Sequence, residues 1–317
     1  MANSDKLFKE FNSNLQIPKS KRDAIKKSDD VLRDKIRKNF KENHPGYIPR
    51  FYQQGSSKTK NRIRTKDDTC DLDDGVYFKD NPDNVSGTTL QSWVKKAVDG
   101  ITDSTPSHRK KCITVDYKAG YNIDLPVFLF NADKDMHPKL AVKDAEFQED
   151  DPKEFIEEFN KLKDAGGQLI RISRYLKGWC DHKREKMPNG LSMTVLAMKY
   201  LEKNDRDDVA LKFTLIAIET ALKKEFKCIM PTTPKDDLFV DYDKIRKENF
   251  LNNLADFIAD AKKAVDEEKN RLKASRLWQR HLGKTYFPEG EDEDEKASSA
   301  SLLTGVIGSA KPYYAGN

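Results

Sequence analysis

From Asp151 onward the pattern of this 317-residue chain is helical only. Apolar residues recur at helical spacing over 152–164, 166–184, 191–203, 207–226 and 244–282. Pro188-Asn189-Gly190, Pro231 and Pro234 punctuate these runs. Before that point strands and helices mix. Arg50–Gln54 is a short extended piece, and Cys70–Phe78 a strand with a bulge or turn at Gly75. Cys112–Lys118 and Tyr121–Phe130 pair as a hairpin through Ala119-Gly120, with Pro126 marking an edge or distortion. A helix capped by Asp29 or Asp30 runs to Asn43, and another, opened by Thr88, carries Leu90, Trp93, Val94, Ala97, Val98 and Ile101. A chain so divided is expected to be α+β and bilobed. Residues 1–150 would form a mixed sheet with flanking helices, and 151–288 a helical lobe closing a cleft over it. Residues 289–317 open with six acids in seven positions and continue in small residues, the composition of a flexible tail.

Charge is unevenly distributed. Residues 1–66 hold 18 Lys/Arg against 7 Asp/Glu, while the whole chain carries only +5. This basic N-terminal segment is expected to face phosphates. No apolar run approaches the roughly 18 residues of a membrane span. The four cysteines are widely spaced without a CxxC, which points to the reducing cytoplasm and excludes a disulfide framework.

Three carboxylates carry the chemistry. Asp71 and Asp73 are two apart on a strand and so point to one face, where like charges repel unless a cation lies between them. Asp124 stands in the otherwise apolar run Tyr121–Val127, where an acid must be paired or metal-bound. Upstream, Gly55-Ser56 follows a short strand. A glycine there admits a phosphate to the backbone, and the serine hydroxyl can donate to it. Gly-Ser, then Asp-x-Asp, then a strand Asp about fifty residues on is an order that fits two-metal phosphoryl transfer. Arg171, Arg174 and Lys177 lie three apart and share one helix face, either a basic stripe or a phosphate clamp.

Gln54-Gly55-Ser56, Asp71–Phe78 and Tyr121–Pro126 resemble the motifs of the bacterial cGAS/DncV-like nucleotidyltransferases of the polymerase-beta superfamily. The resemblance continues through Gly167–Trp179, Asn189–Leu196, Cys228–Pro234 and Trp278–Pro288. It implies a cyclic oligonucleotide synthase acting on ribonucleoside triphosphates in CBASS-type anti-phage defence. It implies two Mg ions on Asp71, Asp73 and Asp124, and a donor triphosphate held by Gly55, Ser56, Lys177 and Ser192. It also implies a ubiquitin-transfer-like partner enzyme acting through the C-terminal tail, and no nucleic-acid activator. The alternatives are a template-free RNA terminal nucleotidyltransferase and a non-catalytic RNA-binding scaffold.

Overall fold

The computed structural model describes residues 1–294. Helices α1 (Asp5–Asn14) and α2 (Lys19–Asn43) lead into β1 (Arg50–Gln54), the single turn α3 (Gly55–Lys58), β2 (Cys70–Phe78) and α4 (Gly87–Val98). Then come β3 (Ser107–His108), β4 (Ile113–Tyr117), β5 (Tyr121–Leu125), β6 (Val127–Leu129), β7 (Lys139–Leu140) and β8 (Gln148–Glu149). The rest is helical: α5 (Pro152–Leu162), α6 (Gln168–Lys183), α7 (Gly190–Tyr200), α8 (Asp207–Lys224), α9 (Lys244–Lys262) and α10 (Arg271–Leu282). No helix among the described residues is long and apolar enough to cross a membrane.

All eight strands form one mixed sheet organised about β2. Along one edge β2 pairs antiparallel with β1, Gln54 opposite Asp73. Along the other it pairs in parallel first with β5 and then with β6. Pro126 divides those two strands because it has no N–H for the ladder, while its carbonyl still accepts from Val76. Gly75 makes no bulge: pairing with β1 runs straight through it, and a Cβ there would strike Tyr77 and Gln54.

Alternation along β2 decides what each side chain meets. Leu72, Val76 and Phe78 face α2 and α4, joining Ile25, Leu32, Ile36, Phe40, Leu90 and Val94 in one core. Asp74 has the same parity and is fully buried. The Arg33 guanidinium on α2 holds it bidentately at 2.8 and 2.6 Å. Asp29 is therefore no helix cap. It lies ten residues inside α2, accepts from Gln53 at 2.8 Å and lies 3.2 Å from Arg33. The helix instead starts after Pro18, which holds the N-cap position with ψ near 148°.

A second core assigns the N-terminus differently from the sequence expectation. Residues 1–15 do not belong with the sheet. Phe8, Phe11 and Leu15 pack among Tyr175, Trp179, Trp278 and Phe287 of the helical lobe. Their approach depends on Gly178, where a Cβ would lie 3.2 Å from Phe11 and 3.4 Å from Leu15. The run 244–282 is also not one helix. It passes through a π-helical turn at Lys263–Glu267, and α10 restarts under the Asn270 cap. Nor are residues 289–294 a loose leash. Glu291 and Glu293 pair with Arg271, Asp294 pairs with Lys273, and Asp292 accepts from Asn270, so acids collect at the N-terminal end of α10. The remainder of the expected tail, with its partner-enzyme contact, lies outside the described residues.

Because Phe11 is fully buried against Tyr175 and Phe287, Phe11→Ala should destabilise the protein by about 3–5 kcal/mol. Urea unfolding followed by tryptophan fluorescence measures this. A change below about 1 kcal/mol would mean that α1 is not part of the helical core.

Candidate active site

The other face of β2 turns Asp71 and Asp73 into a cleft of ≈ 610 Å³ between the lobes. Asp73 stands directly beside Asp124 in the parallel β2–β5 pairing, so the three carboxylates share one sheet face. Thr114 of β4 donates its hydroxyl to Asp124 and orients it. Burial, then repulsion from Asp124 and Asp71, pushes Asp73 up to about 7. Burial and Asp124 raise Asp71 as well. Carboxylates assembled at this cost to ionisation suit a divalent cation, which would relieve both terms.

Gly55 and Ser56 begin α3 at the end of β1 and line the same cleft. Gly55 has φ +61°, and a Cβ on it would run into the Asp73 carboxylate, so no other residue lets the chain turn so near the acids. On the opposite wall α6 presents Lys177, 8% exposed. Burial lowers its pKa to about 7 against the attraction of Asp73. Its ammonium donates to Asn61 Oδ1 at 3.0 Å and to the Asn61 carbonyl at 3.3 Å.

The structure separates the three-residue basic stripe. Arg171 is bidentate on buried Asp207, and Arg174 donates to Asn12 and to the Lys60 carbonyl. Lys177 is the member that reaches the cleft. Ser192 does not line it. Fully buried, its hydroxyl donates to Asn189 Oδ1 at 3.0 Å within the cap of α7, while Gly190, Leu191 and Thr194 reach the cleft. Gly55, Ser56, Asp71, Asp73 and Lys177 therefore meet in one cleft, Asp124 adjoins them, and Ser192 stands behind.

Sequence reasoning missed Asn61, which is fully buried. It accepts from Thr59 at 2.7 Å and from Lys177, and donates to Thr194 at 3.1 Å, joining the loop after α3 to α6 and α7. It lies in the polar segment 57–69, where no periodicity marks a buried node. The basic residues of that segment divide their work. Arg62 lines the cleft and donates to the Asp71 carbonyl at 3.2 Å, whereas Arg64 pairs with Asp68.

Asp150 and Asp151 border the cleft at the start of α5. Asp151 caps α5 and accepts from His137 at 3.1 Å, and the other His137 nitrogen meets Thr233 at 3.3 Å. Glu154 accepts from the Thr233 N–H at 2.9 Å. The donor atoms of His137, Asp151 and Glu154 lie within 4.8 Å of one another. Their hydrogen bonds tie the β6–β7 loop to the helical lobe.

Residues 49–128, which contain Gly55, Ser56 and all three acids, match the family model described as "Cyclic GMP-AMP synthase DncV-like, nucleotidyltransferase domain". The whole fold is similar to Vibrio cholerae DncV cyclic AMP-GMP synthase, with 15% identity, TM-score 0.77, and coverage of 90% of this chain and 98% of that one. It is also similar to Escherichia coli DncV in a 3′-deoxy GTP bound form, with 18% identity, TM-score 0.72, and 91% and 96% coverage. Escherichia coli MS115-1 CdnC with ATP matches at 16% identity and TM-score 0.69, covering 89% of this chain and 98% of that one.

Two measurements probe the site. Asn61→Ala removes the side-chain acceptor of Lys177 and should weaken binding of an unreactive nucleoside triphosphate analogue about fivefold or more. Unchanged affinity in calorimetry would show that Lys177 is held without Asn61. The second concerns pH. Asp73 has a folded pKa of about 7 against 3.8 unfolded, so the folded state binds the extra proton. Its contribution is fully present below the unfolded value and is lost as pH rises towards 7. Cation-free protein should thus lose stability across this window, and Asp73→Asn should flatten the loss. Parallel pH–stability curves for the two proteins would contradict the assignment.

Proposed function

We propose that this chain, a member of the cGAS/DncV-like nucleotidyltransferases, joins ribonucleoside triphosphates into a cyclic oligonucleotide and releases pyrophosphate. The observation that carries the reading is the meeting of Asp71, Asp73 and Asp124 on one sheet face, with the Gly55-Ser56 turn against Asp73 and buried Lys177 across the cleft. Asp71, Asp73 and Asp124 would hold two magnesium ions, which supply charge stabilisation at the attacking and leaving oxygens.

The chain's own residues position the reactants. Gly55 leaves the backbone bare where the donor triphosphate must pass close to Asp73. Ser56 offers a hydroxyl to a phosphate oxygen, and Lys177 offers a positive charge that binding of the anion would raise towards its ordinary pKa. Arg62 adds a second cation to the lining of the cleft. A ribose hydroxyl of the acceptor attacks the donor α-phosphorus, the bond to the bridging oxygen breaks, and pyrophosphate leaves with its electron pair. The hydroxyl proton passes to one of the carboxylates or to water. The linear product then rebinds with its triphosphate in the donor position, and a second attack closes the ring. Anti-phage signalling, and a ubiquitin-transfer-like partner for the C-terminal segment, belong to this proposal through the family resemblance alone.

Incubating the protein with the four ribonucleoside triphosphates and magnesium, without primer, should give a cyclic oligonucleotide detectable by mass spectrometry. Open-ended RNA chains would instead support a terminal nucleotidyltransferase. Asp71→Asn with Asp73→Asn should lower pyrophosphate release more than about 100-fold while the protein stays folded. Pyrophosphate release near the wild-type rate in that variant would remove the two carboxylates from the chemistry.

A further inference from the structure

The lining of the cleft is of two chemical kinds. Arg62, Lys177 and the phosphate-facing Gly55-Ser56 turn lie beside the catalytic acids. Another part of the lining is built from Pro152, Phe155, Leu191 and Met230, apolar surfaces suited to the faces of a flat ring. Asp150 lines the cleft with them, immediately before Asp151 and Pro152.

Asp150 is held but not used. Its backbone N–H donates to the Pro138 carbonyl at 3.0 Å, and the next residue is locked as the cap of α5. Among the described residues its carboxylate makes no hydrogen bond or ion pair. Lys111 attracts it without closing a salt bridge, and its other charged neighbours are Asp236 and Asp151. An acceptor in this condition, beside apolar walls in a cleft that also holds cations for phosphate, is suited to a ligand with N–H groups to give.

We propose that Asp150 is a specificity-determining residue that reads the edge of a bound nucleobase and selects guanine. The inference rests on the nucleotide-binding reading above and deepens it. An ionised carboxylate is an acceptor at both oxygens. Guanine offers two adjacent donors on its pairing edge, N1–H and the N2 amino group, and satisfies both oxygens at once. Adenine and cytosine set an acceptor beside their amino donor, and uracil flanks its one N–H with two carbonyls. Each of these brings a lone pair against the carboxylate. A site made for two donors rejects a base that lacks one, because a polar atom is then buried unpaired.

Asp150→Asn keeps the shape but turns one acceptor into a donor, which matches the donor–acceptor edge of adenine. The test is equilibrium binding of unreactive GTP, ATP and ITP analogues to the full chain. Wild type should prefer the guanine analogue to the adenine analogue by about tenfold, with the inosine analogue, which lacks the amino group, between them. Asp150→Asn should weaken the guanine analogue about tenfold and strengthen the adenine analogue, reversing the order. Loss of binding to both bases alike would make Asp150 structural or cation-binding and overturn the proposal. Absence of a guanine preference in wild type would overturn it without any variant, so a poorly folded mutant cannot shield it. Because the analogues do not react, the cyclase reading is judged separately. A guanine preference without cyclic product would remove only the cyclase, and cyclic product without a guanine preference would remove only the role of Asp150.

Discussion

The Arg33–Asp74 pair is the interaction on which the arrangement of this protein turns. Strand β2 carries acids at 71, 73 and 74, and alternation sends them to opposite faces. The two that enter the cleft can be answered by a cation. The one that enters the core cannot, and a lone buried carboxylate would cost several kcal/mol. Arg33 answers it from α2 with two hydrogen bonds, which also fixes how α2 crosses the sheet. Asp29, the other acid at this junction, is pushed up to about 7 by burial and the charge of Asp74. One guanidinium thus serves a region holding two carboxyl groups, and it anchors the strand whose far face turns Asp71 and Asp73 into the cleft.

The same economy of charge operates across the cleft. Lys177 is buried without a carboxylate in contact, held by the side chain and carbonyl of Asn61. Its hydrogen-bond partners are neutral acceptors, so burial lowers its pKa to about 7 against the attraction of Asp73. Arg171, one turn and a half away on the same helix, is the contrary case: two hydrogen bonds to Asp207 make it a strut of the helical lobe. Helix face alone does not distinguish a cation paired with a carboxylate from one held by neutral acceptors, whereas the partners in the structure do.

The two lobes are also more interwoven than their order in the chain suggests. Helix α1 precedes the sheet in sequence but completes the core of the helical lobe, with Phe8 packed edge-on against Tyr175, Trp278 and Phe287. The chain therefore crosses between the lobes at residues 15–18 and again at 150–152. The second crossing is pinned by His137, Asp151, Thr233 and Glu154. The second crossing thus ties the two lobes where Asp151 borders the cleft.

Local pattern was sufficient for much of this. A period of two placed Asp71 and Asp73 on one face, a proline explained the division of β5 from β6, and helical spacing located α5 to α8 within a few residues of their bounds. These features depend on neighbours in sequence, so the sequence by itself determined them. It did not determine the partner of α1, since an amphipathic helix states that it has an apolar face and not which core will cover it. It did not show that the acids at 291–294 would seat on α10, because composition counts charges and cannot see the Arg271 and Lys273 that meet them. Asn61 was invisible for the same reason. It is an ordinary polar residue in an aperiodic segment, and its importance lies in what stands opposite, groups more than a hundred residues away. Only the tertiary structure decided those, because long-range contacts are set by how whole faces pack and not by the spacing of residues along the chain.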